Sequence, residues 1–173
     1  MILDEEVFLV AWLMLVYKLP ADRSTSRVYV WRRLKRIGAI YLQDGTCVLP
    51  MSDRTREQFQ WLAAEIIEMA GDAYVCTAEF LAGEQETRVI DQFREQARAY
   101  YQQVIADLDR VVTLESSGMQ VDAVLRDAWR AYAGAREIDF FSVPEGEEAL
   151  GRLRSIAEKI GAQRCEEDAS CAG

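Results

Sequence analysis

The chain has 173 residues, 20 basic and 29 acidic side chains, a net charge of −9, 50 % hydrophobic and 28 % charged residues, and no histidine. The composition is globular, and the length allows one domain, or one small domain with a helical extension. The missing histidine excludes Ser-His-Asp and Cys-His triads within the chain and removes the commonest metal ligand.

The opening Met1-Ile2-Leu3-Asp4-Glu5-Glu6 is acidic and therefore unlike a signal peptide, which begins basic. The apolar run from Val7 to Tyr17 is too short to span a bilayer. The expectation is a cytoplasmic protein with reduced thiols and no membrane partner. Residues 9–19 are continuously apolar until Lys18, and Pro20 closes the run, which predicts a buried central strand. Ser24 and Thr25 offer caps for a helix over 26–37. Its apolar residues Val30, Trp31, Leu34 and Ile37 recur at helical spacing, its other faces are basic, and Gly38 ends it.

Residues 39–43 and 46–50 predict two strands joined at Asp44-Gly45, because both turn positions tolerate positive φ. Ser52 or Asp53 then caps a second helix. Its stripe is Phe59, Leu62, Ala63, Ile66, Ile67 and Ala70, and Gly71 stops it. Residues 73–81 predict a fourth strand. Strand, helix, hairpin, helix, strand is the β-α-β-β-α-β order of a ferredoxin-like sandwich, with right-handed crossovers.

The rest reads as helix. Phe93, Ala97, Tyr100, Tyr101, Val104, Ile105, Leu108 and Val112 mark one long helix, broken by Ser116-Ser117-Gly118. Val121, Leu125, Ala128, Trp129 and Tyr132 mark a second, ending near Gly134, which pairs with the first as an antiparallel hairpin. Ile138-Asp139-Phe140-Phe141 is an apolar loop, and Pro144 opens a helix to about Ile160. The expected class is α+β: a ferredoxin-like domain over 9–82, an α-helical C-terminal extension over 84–161, and a flexible tail over 162–173.

Charge is unevenly placed. Residues 22–56 carry eight basic side chains, including Arg23, against Asp22, Asp44 and Asp53, a net of +5 that leaves −14 on the rest. The cluster Arg27, Arg32, Arg33, Lys35 and Arg36 has two readings. It contacts DNA phosphates or a tetrahedral oxyanion, which guanidinium groups bind bidentately, or it is the solvated face of an amphipathic helix. Arg54 and Arg56 open the second helix, where free N–H groups also favour an anion.

Cys47 and Cys76 sit in strand-like apolar runs and read as small buried hydrophobes, while Cys165 and Cys171 lie in a polar tail. No C-x-x-C pair occurs, so neither a metal site nor a cofactor is expected. Trp31 and Trp61 read as core or interface residues rather than base-stacking platforms, as do Trp12, Trp129 and the Tyr100-Tyr101 pair. Asp44 is explained as a turn residue and Asp139 as a cap or a bridge to an arginine. Neither has a base or nucleophile beside it, so the chain does not read as an enzyme.

Trp12-Leu13-Met14-Leu15-Val16-Tyr17-Lys18-Leu19-Pro20 is followed by Arg27-Val28-Tyr29-Val30-Trp31-Arg32-Arg33-Leu34-Lys35-Arg36-Ile37-Gly38-Ala39. Then come Leu42-Gln43-Asp44, Val48-Leu49-Pro50 and Arg54-Thr55-Arg56-Glu57-Gln58-Phe59-Gln60-Trp61-Leu62. Together with Ile138-Asp139-Phe140-Phe141, these resemble the N-terminal domain of the ChrB-type chromate-resistance proteins, over about residues 10–160. The resemblance implies a chromate-responsive regulator of a chromate-efflux operon, with operator DNA and chromate as partners. Longer members of that family carry a further C-terminal domain, so a stand-alone N-terminal domain or short paralogue is expected. The stretch Asp122-Ala123-Val124-Leu125-Arg126-Asp127-Ala128-Trp129-Arg130 is less basic than the family leads one to expect.

More distantly, the front half resembles the Cas2-like middle domain of phenylacetate-operon repressors. Cas2 nucleases place an aspartate at the end of their first strand, where this chain has Tyr17-Lys18-Leu19-Pro20. The second functional reading is a protein-interaction module that dimerises with a full-length regulator. The helical extension then supplies a homodimer interface, as regulators that read two half-sites require, or else packs on the sheet.

Overall fold

The computed structural model describes residues 10–21, 24–114 and 121–171. The acidic opening, Asp22, Arg23 and the expected break at Ser116-Ser117-Gly118 lie outside the described residues, as do the side chains of Cys165 and Cys171. The elements are β1 (Trp12–Lys18), α1 (Ser24–Arg36), β2 (Ile40–Gln43), β3 (Thr46–Pro50), α2 (Asp53–Glu68), β4 (Asp72–Ala78), α3 (Gly83–Leu114), α4 (Val121–Ile138) and α5 (Pro144–Cys171). The class is α+β, as expected. The chain divides into two compact units between Val89 and Ile90, within α3.

In the first unit the strands form one sheet in the order β2-β3-β1-β4, and each neighbouring pair is antiparallel. This order follows from two β-α-β halves, each crossing over one strand. Leu13 and Leu15 on β1, Cys47 and Leu49 on β3, Val30 and Leu34 on α1, and Phe59, Leu62 and Ile66 on α2 are all buried. Strand alternation and the i, i+3, i+4, i+7 stripe of α2 aim these side chains at one another. At the other end of β1, Trp12 is fully buried. Its indole N–H donates to Glu86 Oε1 at 2.8 Å, and the Phe80 ring meets it edge-on at 5.5 Å.

The helix ends show local chemistry. Ser52 caps α2, with a reciprocal capping box to the buried Thr55, whose hydroxyl donates to Pro50 O at 2.7 Å. Gly38 closes α1 at φ 77°, with Ala39 N donating to Leu34 O and Gly38 N to Lys35 O, a Schellman motif. α2 ends by the same hydrogen-bond pattern, but its left-handed residue is Ala70 at φ 60°, not the expected Gly71. Gly71 serves another purpose: a Cβ there would run into Lys18 O and the Ile66 side chain.

The second unit is helical. Ala97, Tyr101, Val104 and Leu108 of α3 join Ala128, Tyr132 and Ala135 of α4 and Ala149, Leu153 and Ile156 of α5 in one buried cluster. Phe93 meets the Phe140 and Phe141 rings at 5.5 and 5.7 Å. α4 continues through Gly134 to Ile138, because Ala135 and Ile138 prolong its buried stripe, and a Cβ at Gly134 would meet nothing. α5 runs on to Cys171, past the expected end near Ile160. The stretch from Ala162 to Cys171 contains no proline and includes good helix formers. Among the described residues no helix is long and apolar enough to cross a membrane.

Candidate anion-binding helix and cleft

α1 has a different environment on each face. Val30 and Leu34 enter the core. Tyr29 and Arg33, one turn apart, reach Glu65 of α2: the Tyr29 hydroxyl donates to Oε2 at 3.1 Å, and Arg33 lies 3.5 Å from Oε1. Arg27 and Trp31, again one turn apart, line a cleft. Arg32, Lys35 and Arg36 are exposed. The Lys35 ammonium sits 5.3 Å from the centroid of the Trp31 ring, a cation–π contact.

The seven basic residues singled out from the sequence lie on two helices. α1 and α2 follow antiparallel strands, so they too run antiparallel, and the N-terminus of α2 lies beside the C-terminus of α1. Arg36, Arg54 and Arg56 therefore share one end of the helix layer. Arg27 is nine positions before Arg36, about 14 Å along the axis. Arg56 lies 3.5 Å from Asp53. Among the described residues, Arg32 and Arg36 make no ion pair. In the second unit Arg94, Arg98, Arg110, Arg130 and Arg152 each lie within 3.4 Å of a carboxylate oxygen, while Arg126, Arg136 and Arg154 are exposed and, among the described residues, make no ion pair.

The cleft is open, about 650 Å³, and lies where β1 ends, beside the β2–β3 turn and α1. Tyr17, Lys18, Arg27, Trp31, Tyr41 and Asp44 line it. The hydroxyls of Tyr17 and Tyr41 are hydrogen-bonded at 3.2 Å. Burial raises both phenol pKa values, and that of Tyr41 strongly, so both stay neutral and keep their protons. Arg27 Nη1 donates to Ala21 O at 3.0 Å, which orients the guanidinium and leaves its other donors for a ligand. Gly45, at φ 73°, accepts a 2.7 Å hydrogen bond from Tyr17 N, and a Cβ at Gly45 would collide with Tyr17 O. The turn is thereby seated on the end of β1. Sequence reading found Arg27 but missed Tyr17, Lys18 and Tyr41. The signal for Lys18 was a charge closing an apolar strand; nothing local marked the tyrosines.

Several expectations are corrected. Trp31 is 49 % and Trp61 66 % exposed, which removes the core alternative of their core-or-interface reading. The core-facing arc of α1 is narrow and is filled by Val30 and Leu34. Cys47 is buried as expected, but Cys76 is exposed. β4 is an edge strand, and Cys76 pairs opposite Met14 whereas Cys47 pairs opposite Leu15. Neighbours on β1 point to opposite faces, so the two thiols do too. Of the two roles expected for Asp139, a cap or a bridge to an arginine, the structure shows the first kind of contact: it accepts the Val143 N–H at 3.2 Å just before α5, together with the Tyr101 hydroxyl at 3.2 Å.

A family model described as Protein ChrB, N-terminal, matches residues 27–154. The chain is 29 % identical over 131 residues to Protein ChrB of Cupriavidus metallidurans, which covers 76 % of this chain and 40 % of that protein. The chain thus matches less than half the length of that relative. No solved structure matches it.

Proposed function

The chain belongs to the ChrB N-terminal family, and on that premise we propose that it is a regulatory or accessory protein of chromate resistance whose helix α1 contacts DNA phosphates. The observation that carries this reading is the pair of exposed guanidinium groups on α1. Arg32 and Arg36 stand exposed on one stripe of α1, one turn apart, with no ion pair among the described residues. Unpaired guanidinium groups at helical spacing suit successive phosphates. Chromate, an oxyanion, competes for the same groups and serves as the releasing signal.

The test is fluorescence anisotropy on DNA from upstream of the gene, at two salt concentrations, with and without chromate. Binding should weaken steeply with salt, and Arg32→Ala/Arg36→Ala should flatten the dependence of log K on log salt by about 2. Absence of binding at low salt removes the DNA role. The second reading, a dimerising module, draws on the exposed Trp61 and Ile67 of α2, at 66 % and 57 %. It predicts a dimer by sedimentation whose stability falls with Trp61→Ala and which ignores DNA.

A further inference from the structure

We propose that the cleft beside the β2–β3 turn binds a nucleoside phosphate, with the base on Trp31, the phosphate on Arg27 and Lys18, and polar edges on Asp44 and the tyrosine hydroxyls. This goes beyond contact between α1 and duplex phosphates and stands without it, since Arg32 and Arg36 do not line the cleft.

Three features of the cleft point to this chemistry. The first is size. About 650 Å³ is the volume of a small-molecule site, and far more than a bare tetrahedral anion fills. The second is the mixture of surfaces. Two cations, Lys18 and Arg27, share the cleft with the half-exposed indole of Trp31. Lys35 sits 5.3 Å from the centroid of that ring, and an indole so exposed is a stacking partner for a flat, polarisable base. The third is the presence of groups that discriminate. Asp44 repels a naked dianion but accepts hydrogen bonds from sugar hydroxyls or a base amino group. Whichever of Tyr17 and Tyr41 accepts in their shared hydrogen bond has its own proton left to donate. A ligand with a phosphate at one end, hydroxyls in the middle and an aromatic plane at the other satisfies all three. The nucleotide is either free or an unpaired residue of a strand, since the same contacts serve both.

The full chain is titrated by calorimetry with adenosine 5′-monophosphate, adenosine, inorganic phosphate and a 5′-phosphorylated trinucleotide. The monophosphate or the trinucleotide should bind at least tenfold more tightly than phosphate or adenosine. Tighter binding of the trinucleotide identifies a strand, and equal binding a free nucleotide. Arg27→Gln and Trp31→Leu, both at solvent-accessible positions, should each weaken binding at least fivefold, whereas Arg130→Gln in the second unit should not. Phosphate binding as tightly as both nucleotides, no binding of any probe, or full binding by both cleft variants overturns the proposal. Because no arm contains duplex DNA, its failure leaves the α1 reading intact, and the reverse holds.

Discussion

The Glu65 carboxylate of α2 lies 3.5 Å from the Arg33 guanidinium of α1, and its other oxygen accepts the Tyr29 hydroxyl. One acidic side chain thus ties the basic helix to its neighbour and neutralises one of its arginines. Both partners of the ion pair are about one-third exposed, so solvent screens it, and it contributes at most about 1 kcal/mol. Glu65→Gln keeps the shape and removes the charge. Thermal stability should change little, while DNA affinity at low salt should rise severalfold as Arg33 is released. An unchanged affinity places Arg33 outside the DNA-contacting face.

Gly45→Ala should cost at least about 2 kcal/mol. A left-handed non-glycine residue costs about 1–2 kcal/mol, and the new Cβ also strikes Tyr17 O. Urea denaturation measures the loss. A cost below about 0.5 kcal/mol would mean that the turn relaxes away from β1.

Ala70→Gly should do the opposite. Ala70 holds φ 60° at the end of α2, where glycine is the favoured residue. The relief of strain exceeds the added freedom of the unfolded chain, so a gain of about 0.5–1 kcal/mol is expected. Chemical denaturation checks it, and a loss of stability refutes it.

The fully buried Cys47 predicts a pH dependence. Burial pushes its thiol up to about 12, against about 8.5 in an unfolded chain. The folded state keeps the proton that the unfolded state gives up. Stability is therefore complete below about pH 8.5 and falls as pH rises from there to about 12, by at most about 1.4 kcal/mol per pH unit. Tyr17 and Tyr41, also raised by burial, add to the fall above about pH 10. Urea midpoints at about pH 7, 9 and 10.5 should drop less steeply for Cys47→Ala than for the natural chain. Parallel slopes would show that Cys47 is not the titrating group.

In the second unit, Asp139→Ala removes the acceptor for both Tyr101 Oη and Val143 N, just before α5 begins. The loss should be about 2–3 kcal/mol, because Tyr101 is fully buried and its hydroxyl is left with no acceptor there. Tyr101→Phe leaves the Val143 bond in place and should cost about 1 kcal/mol. Equal effects of the two changes would argue that the Val143 contact contributes nothing.

Much of the fold was legible because its signals are local. Asp44-Gly45, Ser52 with Thr55, Gly38 and Pro144 mark their turn or helix end through backbone chemistry that neighbouring residues complete by themselves. The buried stripe of α2 followed from helical spacing alone. The misreadings came where burial depends on an element's place in the fold. Cys76 looked apolar and buried but lies on an edge strand, and Trp31 matched the helical period but stands beside the core. Gly134 looked like a stop, but burial of Ala135 and Ile138 outweighs the cost of about 1 kcal/mol for a glycine within a helix.

The sequence by itself determined the order of elements, the α+β class, the family and the uneven charge, since each depends on composition, spacing or residues near in the chain. Only the tertiary structure decided which charges act together. It placed Arg27 in a cleft that Arg32 and Arg36 do not line, paired Arg33 with Glu65 on the neighbouring helix, and brought Lys18, Arg27 and Tyr41 together. The reason is physical: a helix advances about 1.5 Å per residue and turns about 100°, so neighbouring charges on α1 face different surroundings, and antiparallel packing decides what each one meets.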